Sequence, residues 1–356
     1  MQFNKNKILS ILLIVQILFV QVIAKYPKLV EQYYSNGIYK YISSFLRTIF
    51  GWLPFSIGDV LYFIAIILII RGIIRFYKQK PKKWSALFFS ITAKLSILYF
   101  IFHLFWGLNY YRQPLQESMR LKVPKYNIDD LSFLTEKLLI KTQEIHYKIT
   151  KNDTLPVSTN LTKTTIFKNA SDSYLPLSKE YPQFEYKHSK VKKSLFSLPL
   201  TLMGFAGYLN PFTNESQVNY KVPKYLLSGI ATHEIAHQLG YASESEANFI
   251  SFLASINSND LRQSYTGYLT ALRYCLNEIY RTDQELYQEF ASRLPIGVKN
   301  NIQQSRDFWK TYNNPLEPLF QKFYDLFLKS HHQKSGIRSY GKMVGLLMAY
   351  ENEYKL

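Results

Sequence analysis

Three long apolar runs lie in the first third of the chain, at about residues 8–24, 58–76 and 86–107. Each has about the 17–25 residues that a helix needs to cross the hydrocarbon core of a bilayer. The pattern therefore predicts a membrane domain over residues 1–107 with three transmembrane helices, and it makes the lipid bilayer the first expected partner.

Beyond Leu108 no apolar run is long enough to span a membrane, and helical periodicity takes over. Leucines at helical spacing predict a helix over 129–149, with Asp129 or Asp130 as its cap. The polar stretch 150–192 predicts loops with short strands, and the Gly- and Pro-broken stretch 194–220 predicts a small hairpin or edge strand. The rest predicts helices at about 224–239, 243–257, 264–281, 283–293, 296–312, 316–330 and 338–352.

The predicted fold class is accordingly mainly α. Three N-terminal transmembrane helices are followed by a mostly helical α+β domain over residues 108–356 with a small β-hairpin or sheet.

Positive charge sets the expected orientation in the membrane. Lys and Arg are dense at the amino end and in the link 75–84, and sparser over 25–57. Because cytoplasmic loops carry the excess of Lys and Arg, residues 108–356 are expected outside the cytoplasmic (inner) membrane, as an extracytoplasmic or periplasmic domain. An alternative for residues 1–24 is a signal peptide cleaved after Ala24, which leaves the same side outside.

The composition limits the classes of binding partner that are expected besides the bilayer. Lys and Arg number 43 against 25 Asp and Glu, which gives a formal net charge of +18. The basic residues are spread along the chain without the spacing of an RNA-recognition motif or a zinc finger, so no nucleic-acid partner is expected. The single cysteine, Cys275, excludes an internal disulfide framework and a cysteine-based zinc ribbon.

The strongest chemical signal is His233-Glu234-Ile235-Ala236-His237, an H-E-x-x-H motif inside a predicted helix. Side chains four residues apart lie on one helix face, so both imidazoles can bind one Zn²⁺ ion. Glu234 follows the first ligand and can act as the general base. Zn²⁺ is therefore the expected cofactor.

A third ligand is expected shortly after this helix. Gly240 stands where a helix-ending left-handed residue belongs, and Ser243 looks like the next N-cap. The S-x-x-E pattern gives Glu246 a capping role, which leaves Glu244 as the preferred third ligand and Glu246 as the alternative. Asn248, four residues after Glu244, is expected to orient a ligand.

These residues resemble the zincin metallopeptidases, in particular the branch with a glutamate as third ligand. The H-E-x-x-H-x-x-G portion also resembles the metzincins, but Ser243 stands where their third histidine is expected. A wider resemblance, to an uncharacterised bacterial family of membrane-anchored, zincin-like proteins annotated only as a domain of unknown function, is carried by five segments. They are Gly107–Arg112, Gly207–Phe212, Glu215–Asn219, His233–Phe249 and Gly336–Tyr340.

The zincin resemblance implies two further parts of an active site. An edge strand should lie beside the active helix and pair with a peptide substrate, and residues 202–208 or 214–220 are the candidates. A donor should stabilise the developing oxyanion, and Tyr340 is the expected residue, with Arg338 and Tyr268 as alternatives.

The predicted function is a membrane-anchored zinc metallopeptidase, or a related hydrolase, acting on a peptide or protein substrate outside the cytoplasmic membrane. The alternative is a non-catalytic zincin-like envelope module for partner binding or structure. A third hypothesis, a transport or signalling membrane protein with an incidental motif, is weakened by the presence of only one charged residue, Lys94, inside the third run.

Overall fold

The computed structural model describes residues 5–79, 83–188, 190–331, 333 and 340–355. It is mainly helical, with three long apolar helices near the amino end and a small three-stranded mixed sheet, which confirms the predicted fold class. The chain divides into two compact units. The first comprises Met1–Gln113 and Asn210–Glu215, and the second comprises Pro114–Leu209 and Ser216–Leu356.

The first unit contains the three helices that are long and apolar enough to cross a membrane. Its helices are α1 (Lys5–Ile23), α2 (Pro27–Leu29), α3 (Tyr39–Gly51), α4 (Ile57–Lys78) and α5 (Trp84–Phe105), with a π-helical segment at Val30–Ile38 and a 3₁₀ turn at Gly107–Tyr111. The candidate spans α1, α4 and α5 have 19, 22 and 22 residues. At about 1.5 Å per residue they are roughly 29–33 Å long, close to the thickness of a hydrocarbon core.

A buried polar network holds the loop 210–215 within the first unit. The Asn214 amide donates to the Tyr39 hydroxyl at 2.9 Å, and its oxygen accepts from Ser43 at 2.8 Å and from Arg47 at 3.0 Å. The Glu215 carboxylate accepts from the backbone amides that begin α4. A carboxylate is favourable there because the first amides of a helix have no intrahelical partner.

The second unit is built on a core of packed helices. Its helices are α6 (Leu115–Ser118), α7 (Ile128–Thr150), α8 (Lys163–Asp172), α9 (Tyr174–Glu180), α10 (Ser197–Leu202), α11 (Leu227–Gln238), α12 (Glu244–Ile256), α13 (Leu261–Thr282), α14 (Gln284–Ser292), α15 (Ile296–Thr311), α16 (Glu317–Ser330) and α17 (Tyr340–Tyr354), with 3₁₀ turns at Pro182–Phe184 and Lys224–Leu226. Helix α13 packs against α7, α12 and α17, and α12 also packs against α11. Helix α11 therefore packs on the buried apolar side chains of the core.

The expected cap of α7 and the expected loops over residues 150–192 were wrong. Helix α7 is capped by Asn127, not by Asp129 or Asp130, because Asn127 and Asp130 form a reciprocal capping box. The polar stretch 150–192 contains the helices α8 and α9 in addition to loops. Thr162 caps α8, and that helix buries a short apolar stripe which includes Ile166 and Phe167.

The sheet is small and lies beside α11. Its strands are β1 (Val191–Lys193), β2 (Gly207–Leu209) and β3 (Ser216–Val218), in the order β1–β3–β2. Strand β3 pairs with β2 antiparallel and with β1 parallel, so the predicted hairpin is confirmed. The candidate edge 214–220 was wrong, because β3 is the central strand, whereas β2 lies at an edge.

The register of β2 shows which of its backbone groups face the outer edge of the sheet. Ala206 accepts from Asn219, and Asn210 donates to Glu215. Bonding alternates along an antiparallel strand, so the amides and carbonyls of Gly207 and Leu209 point away from β3.

Candidate metal centre

The turn that ends α11 places the two motif histidines and the next helix close together. Gly240 has φ +89°, its amide donates to the His237 carbonyl at 2.9 Å, and the Tyr241 amide donates to the Ala236 carbonyl at 3.1 Å. This is a Schellman motif, as the position of Gly240 predicted, and the left-handed conformation favours glycine. The reversed chain then starts α12 at Glu244.

Three side chains converge at this point. The Nε2 atoms of His233 and His237 are 3.1 Å apart, and the Glu244 carboxylate oxygens lie 3.2 Å from His233 Nε2 and 3.8 Å from His237 Nε2. A tetrahedral Zn²⁺ ion with ligands at about 2.0–2.1 Å requires ligand atoms roughly 3.3 Å from one another. The donor set and its spacing therefore fit one zinc ion, and the described part of the chain shows one such group of metal-ligating side chains.

The ring of His237 is held in the orientation that metal binding requires. Its Nδ1 lies 2.7 Å from the Tyr241 carbonyl, in the same turn that contains Gly240. A carbonyl accepts only a proton donor, so Nδ1 carries the hydrogen and Nε2 presents its lone pair. The local sequence thus sets both the position and the tautomer of this histidine.

The electrostatics of the cluster match a site for a cation. Burial raises the pKa of Glu244, but the hydrogen bond from His233 and the charges of both histidines outweigh burial and lower it to about 2. Burial lowers the pKa of His233, and its hydrogen bond to Glu244 reverses the shift and raises it. Burial lowers the pKa of His237 to about 4. Glu244 is thus a carboxylate and His237 a neutral imidazole, which are the states that bind a metal.

Glu234 lies beside this cluster and is almost fully buried. Its Oε2 meets no hydrogen-bond partner among the described residues, and burial raises the pKa of Glu234 to about 8. The edge strand β2 packs against it, since a Cβ atom at Gly207 would stand 2.5 Å from Glu234 Oε1. A side chain at position 207 would displace the carboxylate, so glycine is required by this close approach.

Tyr324, on α16, is a residue of the site that the sequence did not reveal. Its hydroxyl donates to Glu244 Oε1 at 2.6 Å, and its ring contacts Phe205 just before β2. This bond fixes the carboxylate and helps to lower its pKa. No local pattern signals the contact, because Tyr324 lies 80 positions after Glu244 in the chain.

Asn248 lies close to the His233 ring and raises the pKa of that histidine, while its own amide donates to the Tyr274 hydroxyl at 2.7 Å. The His233 Nδ1 atom is nevertheless buried without a partner at hydrogen-bonding geometry among the described residues. Asn248 therefore borders the first histidine, and its expected role in orienting a ligand stays a prediction.

Glu246 does not join the cluster. Its Oε1 accepts from the Leu115 amide at 2.7 Å, at the start of α6. Ser243 occupies the N-cap position of α12, but its side chain makes no capping hydrogen bond, so the expected S-x-x-E capping box was wrong. The Glu246 carboxylate, to which the pattern assigned a capping role at the start of α12, instead accepts a hydrogen bond from the Leu115 amide.

The expected oxyanion donors are not gathered around the cluster by the described residues. The side chain of Tyr340 and the whole of Arg338 lie outside the described part of the chain. The Tyr268 ring packs against Phe252 in the core. Tyr340 consequently stays a prediction.

The comparisons with known proteins identify a family of unknown function. No curated protein and no solved structure matches the chain. A family model described as a protein of unknown function, DUF3810, matches residues 34–348. Since this match covers most of the sequence, the chain belongs to the DUF3810 family.

Proposed function

We propose that this protein is a membrane-anchored zinc metallopeptidase, or a closely related zinc hydrolase, whose second unit acts outside the cytoplasmic membrane. The observation that carries the proposal is the pairing of a His233–His237–Glu244 cluster at zinc-ligand spacing with the buried Glu234 carboxyl group, whose Oε2 has no hydrogen-bond partner among the described residues. A purely structural metal site needs the first feature but has no use for the second.

Each residue of the site has a separate role in the proposed reaction. His233, His237 and Glu244 would hold the metal, which when bound supplies a Lewis acid that polarises a carbonyl and makes water more acidic. Glu234 takes a proton from the attacking water and delivers it to the leaving amine. Tyr324 keeps the Glu244 carboxylate in place, and Asn248 supports the His233 ring.

The outer edge of β2, which pairs with no further strand among the described residues, supports a peptide substrate. The backbone groups of Gly207 and Leu209 that face this edge can pair with an extended chain, because such a chain adds to a sheet edge as a further strand. Gly207 also lies so close to the Glu234 carboxylate that an added Cβ atom would stand 2.5 Å from its Oε1. A peptide bound along β2 would therefore pass next to the proposed general base.

The proposed location follows from the distribution of charge around the candidate spans. The dense Lys and Arg residues between α4 and α5 favour the cytoplasmic side for that link, which puts the second unit on the opposite side. A reporter fused after Leu356 that is active only outside the cytoplasm tests this assignment. Activity of a cytoplasm-specific reporter at the same position would overturn it.

The decisive test of catalysis is a comparison of hydrolysis and zinc content in one variant. The purified full-length protein should cleave members of a broad peptide library. Glu234→Gln should abolish cleavage and keep its zinc, because Glu234 is not among the clustered ligand atoms. Glu285→Gln, at an exposed residue of α14, is the matched control and should leave both unchanged.

Two outcomes would contradict the proposal. Cleavage that persists in Glu234→Gln would remove the general base from the mechanism. Stoichiometric zinc with no cleavage of any peptide by the wild-type protein would instead support the non-catalytic envelope module.

A further inference from the structure

The outer face of α16 is an exposed apolar stripe. Six large apolar side chains recur at helical spacing, and each is between 37% and 63% exposed: Leu316, Leu319, Phe320, Phe323, Leu326 and Phe327. On a helix with 100° between residues they cover an arc of roughly 120°. Soluble surfaces rarely present so many large apolar groups together, so this stripe is a candidate interaction surface.

The opposite face of α16 is already occupied within the second unit. Leu328 is buried, and Tyr324 is bonded to Glu244. The carboxylate of Glu317 and the amide of Gln321 lie near Gly204. The helix is thus packed through one face, and the apolar stripe is the face it turns outward.

Helix α10 extends the apolar surface beyond α16. The Leu202 carbonyl accepts from the Asn314 side chain at 2.7 Å, which joins the end of α10 to the residues that precede α16. Three large apolar side chains in α10 and just before it are exposed: Leu195 is 58%, Leu198 47% and Leu202 40% exposed.

A lysine cluster lies near the other end of α10, where the helix begins at Ser197. The Tyr220 amide lies 3.3 Å from the Ser197 hydroxyl at the start of α10, and the Lys163 ammonium sits 4.5 Å from the Tyr220 ring centre. Burial and then the charges of three neighbouring lysines lower the pKa of Lys163. Those neighbours are Lys193, Lys224 and Lys221, and all three are exposed.

We propose that the α16 stripe, together with the neighbouring α10 and the lysine cluster, rests on an anionic bilayer surface. Apolar side chains that enter the headgroup region, next to lysines that meet anionic lipid, are the two elements of peripheral membrane binding. A bilayer is also at hand, because the second unit begins at Pro114, shortly after the candidate span that ends at Phe105. The inference does not depend on the proposed function and holds on either side of the membrane.

The test uses the full-length protein reconstituted in vesicles of phosphatidylcholine with or without phosphatidylglycerol. A fluorophore is attached to Phe323→Cys, and the lipids carry a nitroxide quencher. The native Cys275 is fully buried and should not react, which labelling of the wild-type protein checks.

Ile296→Cys is the matched control. Ile296 is 55% exposed at the first position of α15, roughly 24 Å along that helix from the residues that join α16. The quencher should reduce fluorescence strongly at position 323 and weakly at position 296 when phosphatidylglycerol is present. The difference should shrink in phosphatidylcholine alone and in a Lys193→Glu, Lys221→Glu background.

Equal quenching at the two positions would overturn the proposal. Probes at position 323 that approach each other between chains, and that are shielded from lipid, would overturn it in favour of a second copy covering the stripe. A second labelled site, Leu326→Cys, should repeat the result of Phe323→Cys, which guards against a local effect of one substitution.

Discussion

Replacing Gly207 by alanine should damage catalysis while leaving zinc bound. The added Cβ would stand 2.5 Å from Glu234 Oε1 and 2.8 Å from the Gln217 carbonyl oxygen, whereas ordinary contact begins near 3.4 Å. The carbonyl belongs to the backbone of the central strand β3 and cannot easily move away. To restore ordinary contact with the added Cβ, the Glu234 carboxyl group must move about 0.9 Å away from β2, from 2.5 Å to 3.4 Å. The metal-ligand cluster contains neither residue.

A displacement of about 1 Å in a catalytic group can lower the rate about 100-fold. We therefore expect kcat/KM of Gly207→Ala on a cleaved peptide to fall about 100-fold, with zinc content unchanged. Overpacking of this kind also costs about 1–3 kcal/mol of stability, which thermal unfolding can measure.

Gly341→Ala is the control, because the nearest atom to its added Cβ would be 3.7 Å away. Unchanged kinetics in Gly207→Ala, or loss of zinc together with activity, would refute the assigned role of this contact.

Three further predictions concern the third ligand, the protons of the site and the core. Tyr324→Phe should weaken zinc binding about 10–100-fold in competition with a chelator, since Glu244 loses its orienting partner, while Tyr280→Phe at an exposed position should not. Zinc binding should release protons from His233 and Glu234, whose pKa values are raised in the metal-free protein, and titration calorimetry in different buffers should show this release declining as the pH rises above those values. Leu138→Ala, at a fully buried position of α7, should lower the free energy of unfolding by about 2–5 kcal/mol, whereas the exposed Ile140→Ala should change it little.

The sequence predicted those parts of the molecule that depend on local pattern. The three apolar helices follow from run length, and the two motif histidines share a face because they are four residues apart on one helix. Gly240 ends α11 as expected, because only a residue tolerant of positive φ suits the Schellman turn. The preference for Glu244 over Glu246 also rested on this local reading of the turn.

The remaining features depend on contacts between distant segments. Tyr324 reaches Glu244 because α16 contacts the segment just before β2 at Phe205, and spacing along the chain carries no information about that contact. The loop 210–215 groups with the first unit through its bonds to Tyr39 and to α4, although it interrupts the sheet of the second unit in the sequence. The capping box failed for the same reason, because a distant amide, that of Leu115, binds the Glu246 carboxylate.

The most direct test of the metal centre is the zinc content of three full-length proteins after dialysis against a weak chelator. The wild-type protein and Glu246→Gln should each retain stoichiometric zinc, because a glutamine oxygen can still accept the hydrogen bond of Leu115. Glu244→Gln should lose it, because one of the three clustered ligands is gone. Zinc that survives in Glu244→Gln, or a wild-type protein that binds none, would contradict the account.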